Sequence, residues 1–217
     1  MYIAYSEKET DYLKKKDKIL GAAIDRIGHV DREADPDLYS SVVRAIIGQQ
    51  ISTAAQTTIC NRLREIHGDI TPAVLHEIPA ETLQKIGISF RKADYIKSFT
   101  EKVVSGTVDL QGLYEKPDDE VIRELSALQG IGVWTAEMLL LFCMQRPDIL
   151  SYGDLAILRG MRMLYHHRQI DRKLFEKYRR RYSPHGTVAS LYLWAIAGGA
   201  IPEMRDYAPK TKPKAKK

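Results

Sequence analysis

From residue 37 to residue 199 the large apolar side chains recur three and four positions apart. In "DLYSSVVRAIIGQQ" Val42, Val43, Ile46 and Ile47 share one stripe, and Ile59, Leu63 and Ile66 form a second in "TICNRLREIHG". In "RKADYIKSFTEKVVSG" the stripe is Ala93, Ile96, Phe99 and Val103. This is the period of an α-helix with one buried face. No stretch alternates β-branched and polar residues as a half-buried strand requires. The chain is expected to be all-α.

Cap signals divide the pattern. Asp37 opens the first helical stretch and Gly68 ends it, with Gly48-Gln49-Gln50 breaking it into two helices or one bent one. Thr71 and Pro72 open a short helix. "PAETLQKIGI", "PDDEVIRELSAL", "VWTAEMLLLFCM", "GDLAILRGMRMLYH", "DRKLFEKYRRRYS" and "HGTVASLYLWAIAGG" continue the series. No internal repeat stands out. The C-terminal stretch 209–217, rich in lysine, is expected to be a disordered basic tail, either a solubilising end or a DNA-tethering arm.

The 217 residues, 44% of them hydrophobic, suffice for one large domain or two small lobes with a real core. No apolar run approaches the roughly 18–20 residues that span a bilayer, and the first residues are too polar for a signal peptide. A soluble, intracellular protein without a membrane partner is expected, cytoplasmic and at the nucleoid if the source is prokaryotic. The net charge of +5 suits a nucleic-acid partner, as it does many proteins that bind none. Cys60 and Cys143 lie too far apart for a zinc or iron–sulfur site and read as core thiols, so no metal site is expected.

The segment Leu128-Gln129-Gly130-Ile131-Gly132 joins two helical stretches by a very tight turn. Glycines there permit positive φ and keep side chains away from an approaching phosphate. Backbone N–H groups from Gly132 onward then face an anion at a helix start. A plain helix end followed by a new start explains the same residues.

The wider pattern adds to this. "LQGIGVWTA" resembles the helix-hairpin-helix of the base-excision DNA glycosylases. "DILSYGDLAILRGM" resembles that superfamily's loop ending in an aspartate, here Asp154, and "RAIIGQQIS" resembles its central helix and wedge turn. The three stand in the family's order between about residues 39 and 199, and the match is best with the 3-methyladenine DNA glycosylase II (AlkA-type) branch.

The resemblance implies two helical lobes around a DNA-binding cleft, within a glycosylase domain over 1–208. Residues 38–144 would form the central lobe, and 1–37 with 145–208 the second. It implies a monomer acting on damaged double-stranded DNA, removing alkylated purines of the 3-methyladenine and 7-methylguanine type by hydrolysis of the N-glycosidic bond, in base excision repair. A glycosylase for a deaminated or mismatched base, and a non-enzymatic hairpin DNA-binding protein, are the alternatives.

Asp154 would stabilise the oxocarbenium-like sugar, though the same position makes an ordinary N-cap. Bifunctional relatives carry a lysine where Trp134 stands, so no Schiff base and no lyase activity are expected. Trp194 would be the main stacking wall for a flipped cationic base, with Trp134 at the pocket edge and Tyr152 lining the cleft. Each aromatic also reads as a core filler. Met138 stands where relatives can carry an aromatic pocket residue. Gln50 would be the DNA wedge, or a helix-end cap; Gly130, Gly132 and Thr135 would face the backbone. Arg91, Lys92 and "KYRRRYS" are further phosphate candidates. No cofactor is required, although hairpins of this family often hold a monovalent cation on main-chain carbonyls, here near Ser126, Leu128 and Ile131.

Overall fold

The computed structural model describes residues 1–209. From residue 210 onward the expected tail lies outside the described residues. In chain order the helices are α1 Glu7–Lys16, α2 Lys18–Ile27, α3 Leu38–Gly48, α4 Thr53–His67, α5 Pro72–Glu77 and α6 Ala80–Lys85. They continue with α7 Phe90–Val104, α8 Asp118–Ser126, α9 Val133–Phe142, α10 Leu155–Tyr165, α11 Arg172–Tyr182 and α12 Gly186–Ala197. A 3-10 turn covers Gly112–Glu115. Among the described residues there is no strand, only one bridge between Tyr2 and Glu33, and no helix is long and apolar enough to cross a membrane. The all-α expectation holds.

Sequence reading assigned the first two helices no element. α1 carries little apolar periodicity, whereas α2 buries Leu20, Ala23 and Ile24 on one face, and both are clearly capped. Ser6 and Glu9 form a reciprocal capping box, and Asp17 accepts from the Ile19 and Leu20 N–H groups. Each such cap contributes about 1 kcal/mol.

The described residues separate into one unit of residues 34–145 and another built from 1–33 and 146–209. In the first, α7 is the central element. Its Ala93, Ile96 and Phe99 are buried, and α3, α5 and α6 pack against it. Val42, Val43, Ile46 and Ile47 of α3 are buried as expected. The α4 stripe is narrower than expected: Cys60 and Leu63 are buried, but Ile66 is 60% exposed near the helix end. Burial pushes both thiols, Cys60 and Cys143, above the usual cysteine range, in keeping with inert core residues.

In the other unit α10 packs along α12, with α2 and α11 also against α12. Leu20, Ile24, Ile157, Met161, Phe175, Tyr192, Leu193 and Ile196 belong to its core. Burying each such side chain is worth about 1.5–3 kcal/mol. At the α10–α12 crossing, a Cβ on Gly160 would lie 2.2 Å from the Leu193 carbonyl oxygen. Only glycine lets the two backbones approach this closely.

Candidate functional site

The hairpin is α8, a turn and α9. Leu128 and Ile131 are buried and anchor the turn, and the Ile131 N–H donates to the Leu128 carbonyl at 3.1 Å. Gly130 has φ +84°, and a Cβ there would fall 2.6 Å from the Tyr95 ring. Conformation and space both require glycine at 130. Gly132 differs from expectation. Its φ of −95° and ψ of 171° are extended backbone open to any residue, and an added Cβ would meet nothing within 4 Å. As the N-cap of α9 it brings no side-chain cap. It leaves a bare surface at a helix start.

The break between α3 and α4 abuts this turn. Gln49 is extended, and its amide nitrogen donates to the Gly130 carbonyl. Gln50 follows with φ +58°, a conformation disfavoured for a non-glycine residue, and its side chain is exposed. Lys92 holds the break from α7: its ammonium donates to the carbonyls of Ile47 at 2.7 Å and Gln49 at 2.6 Å. Burial, helped by neighbouring Arg91, lowers the Lys92 pKa. Two of its N–H groups thus serve the C-terminal carbonyls of α3.

A cavity of about 600 Å³ opens beside the break and the hairpin, within residues 34–145. Its wall includes four of the residues expected at the site, Gln50, Trp134, Thr135 and Met138. Trp134 and Met138 stand one helical turn apart on α9, which puts both on one face. Trp134 is 48% exposed, so it is not a core filler. In the apolar run behind it Leu139, Leu140 and Leu141 are buried, while Met138 and Phe142 are half-buried on the cavity wall. The same wall holds Asp35, Gln49 and Gln56, whose cavity role sequence reading missed. Asp35 sits in a loop stretch, "EADPD", and Gln56 in a helix with few apolar residues. Neither carries a periodic signal.

In the other unit Asp154 is the N-cap of α10 and only 7% exposed. One carboxylate oxygen accepts from the N–H groups of Ala156 at 2.8 Å and Ile157 at 2.9 Å. The Tyr152 ring meets Phe175 edge-on with centroids 5.1 Å apart, and the Arg172 guanidinium stands 5.0 Å from the Tyr152 ring centre. Trp194 is half-buried against the core of this unit, with the Arg32 guanidinium 6.0 Å from its ring centre. Both aromatic faces therefore attract a cation.

One arginine of the α11 run is engaged inside the protein. Arg181 donates to the buried carboxylate of Asp17 at 2.5 Å, and Tyr165 donates to the same oxygen at 2.8 Å. Burial alone would raise the Asp17 pKa. The Leu20 N–H, the Arg181 guanidinium and the Tyr165 hydroxyl together bring it below the usual value. Among the described residues no group of three or more His, Cys, Asp or Glu side chains gathers as a metal site.

DNA-3-methyladenine glycosylase 1 of Schizosaccharomyces pombe is 32% identical over 181 residues, covering 81% of this chain and 77% of that protein. A crystal structure of a DNA-3-methyladenine glycosidase from Bacillus halodurans superposes with a TM-score of 0.86 at 34% identity, covering 95% of this chain and 97% of the other. The S. pombe 3-methyladenine DNA glycosylase Mag1, solved in complex with abasic DNA, gives a TM-score of 0.74 at 30% identity, covering 87% and 95%. Residues 43–184 match the family described as HhH-GPD superfamily base excision DNA repair protein. The chain is a member of the HhH-GPD superfamily of base excision DNA repair proteins.

Proposed function

We propose that the chain is a monofunctional DNA glycosylase that hydrolyses the N-glycosidic bond of alkylated purines in duplex DNA. The observation that carries the reading is the Asp154 carboxylate, buried and held by two backbone N–H groups in a chain of this superfamily. The flipped base leaves with the electrons of its C1′–N bond. Positive charge accumulates on the sugar, and a fixed carboxylate stabilises it without reorganising. Water then adds to C1′ and loses a proton. An alkylated purine carries positive charge and leaves as a neutral base, so no strong general acid is needed. The rings of Trp194 and Trp134 supply stacking and cation–π attraction.

Residue 134 is tryptophan, so α9 offers no amine to attack the sugar. Base removal without strand cleavage follows. DNA phosphate approaches Gly130, Gly132 and Thr135 at the open start of α9, and Gln50 enters the gap left by the base. A monovalent cation fits the turn. Main-chain oxygens are its natural ligands, and the Leu128 carbonyl, which accepts one N–H, keeps a second lone pair. Such an ion would add positive charge toward a phosphate.

The test is release of free 3-methyladenine and 7-methylguanine from methylated duplex DNA, with borohydride trapping alongside. Base release without a trapped adduct is expected. Tight DNA binding with no release would mean a binding protein or another lesion. A trapped adduct would remove the monofunctional assignment.

A further inference from the structure

We infer that Lys92 is a positioning residue: with Gln49 it holds the turn between α3 and α4 in the conformation that presents Gln50 to DNA. The inference deepens the glycosylase reading and rests on it, since it explains how the Gln50 wedge is kept ready.

The turn does not hold itself. Gln50 has φ +58°, where a residue with a side chain is disfavoured by about tenfold. Its side chain is exposed, so burial does not fix it. The local hydrogen bonds are long: the Gln49 N–H reaches the Ile46 carbonyl, and the Ile51 N–H the Gly48 carbonyl, at 3.4 Å each.

The support comes from α7. The Lys92 ammonium donates to the Ile47 carbonyl at 2.7 Å and to the Gln49 carbonyl at 2.6 Å. The Gln49 carbonyl shares a planar peptide unit with the Gln50 N–H, so fixing that oxygen fixes the plane from which Gln50 departs. Gln49 then ties the turn to the hairpin, its amide nitrogen donating to the Gly130 carbonyl.

The hairpin rests on the same helix. Tyr95 follows Lys92 by three residues on α7, about one helical turn, and a Cβ on Gly130 would fall 2.6 Å from its ring. One short stretch of α7 therefore carries a support for each turn. It sets the distance from Gln50 to the bare start of α9, so wedge and phosphate site keep a fixed spacing. A direct phosphate contact suits Lys92 less well, because two of its three N–H groups are occupied and the residue is half-buried.

The test measures single-turnover base release from methylated duplex DNA by wild type, Lys92→Met, Gln50→Ala and the double variant. Methionine keeps the length of the side chain and drops its donors. Lys92→Met should slow release about tenfold, because the freed turn spends most of its time in its favoured conformation. The double variant should be no slower than Gln50→Ala alone, since Lys92 acts only through the residue it positions. The slope of log Kd for DNA against log salt should match wild type, whereas a lost phosphate contact would make it shallower by about 0.9. Gln49→Met removes the tie to Gly130 and should slow release about threefold, again with no further loss when combined with Gln50→Ala.

Circular dichroism checks each fold. If Lys92→Met does not fold, Gln49→Met decides, and unimpaired release by it overturns the inference. Full release by Lys92→Met, losses that multiply in the double variant, or the shallower salt slope overturns it as well. Each of these results, with an active wild type, sinks this inference alone. Wild-type protein that releases no base overturns the glycosylase reading, and the wedge that Lys92 positions falls with it.

Discussion

Two helices begin close to glycines and end their resemblance there. α9 starts at Gly132, which has no side chain to cap it, and α10 starts at Asp154, whose carboxylate takes two of the helix's own N–H groups. The macrodipole offers the same partial positive charge at both. At α10 the protein supplies the anion itself and buries it. At α9 it supplies none and leaves the surface open, so the anion has to come from elsewhere. One start suits a fixed charge for chemistry, the other a phosphate that arrives and leaves.

The sharpest way to break this contrast is Asp154→Asn. Asparagine caps a helix as well as aspartate, so stability should change by less than about 0.5 kcal/mol. Base release should fall about 100-fold or more, because only the charge is lost. Full activity in a well-folded variant would reduce α10's start to a cap.

Asp17 provides the control. It caps α2 with the same two-bond pattern, and its other oxygen accepts from Arg181 and Tyr165. Asp17→Asn should cost about 1–3 kcal/mol in denaturant unfolding, the partial exposure of Arg181 trimming the buried-pair figure, with little effect on kcat. Since folding lowers the Asp17 pKa, its contribution is complete at neutral pH and disappears on acidification. The stability gap between wild type and variant should therefore close as pH falls below about 4. A gap that widens with acid would contradict the ion pair.

Gly130→Ala forces a Cβ toward Tyr95 at φ +84° and should lower stability by about 1–2 kcal/mol. The smallest effect, and the closest test of the contrast, is Gly132→Asp, which gives α9 the kind of start α10 has. Thermal unfolding should rise by about 0.5 kcal/mol, while DNA affinity drops several-fold as the new carboxylate occupies the N–H groups. Unchanged affinity would mean that phosphate docks elsewhere.

Much of this was legible in the residues. Periodicity and caps reveal α3 to α12, and the motifs bring Gln50, Trp134, Thr135 and Met138 to what proves to be one cavity. The losses have physical causes. α1 is held by a capping box and buries only Leu13 among its large apolar side chains, so periodicity passes over it, while the short stripe of Leu20, Ala23 and Ile24 in α2 is overlooked. Lys92 and Arg181 look like solvent charges in sequence because nothing local reveals that their partners are carbonyls and a distant carboxylate. Asp35 is a loop residue whose cavity role comes only from the folding of α3 and α9 beside it. Gly130 and Gly132, singled out together, differ in structure: only Gly130 needs glycine for its backbone and its space.

The contact between Gly160 and the Leu193 carbonyl sets a machining tolerance for the whole enzyme. Asp154 stands six residues before Gly160 on one helix, and Trp194 comes immediately after Leu193 on the other. The crossing thus gauges the spacing between the Asp154 carboxylate and the Trp194 ring. Alanine at 160 would act as a shim, moving one helix by about an ångström, a misplacement that elsewhere costs on the order of 100-fold in rate without altering any group that meets the substrate. A single missing methyl keeps the two helix backbones in their close approach.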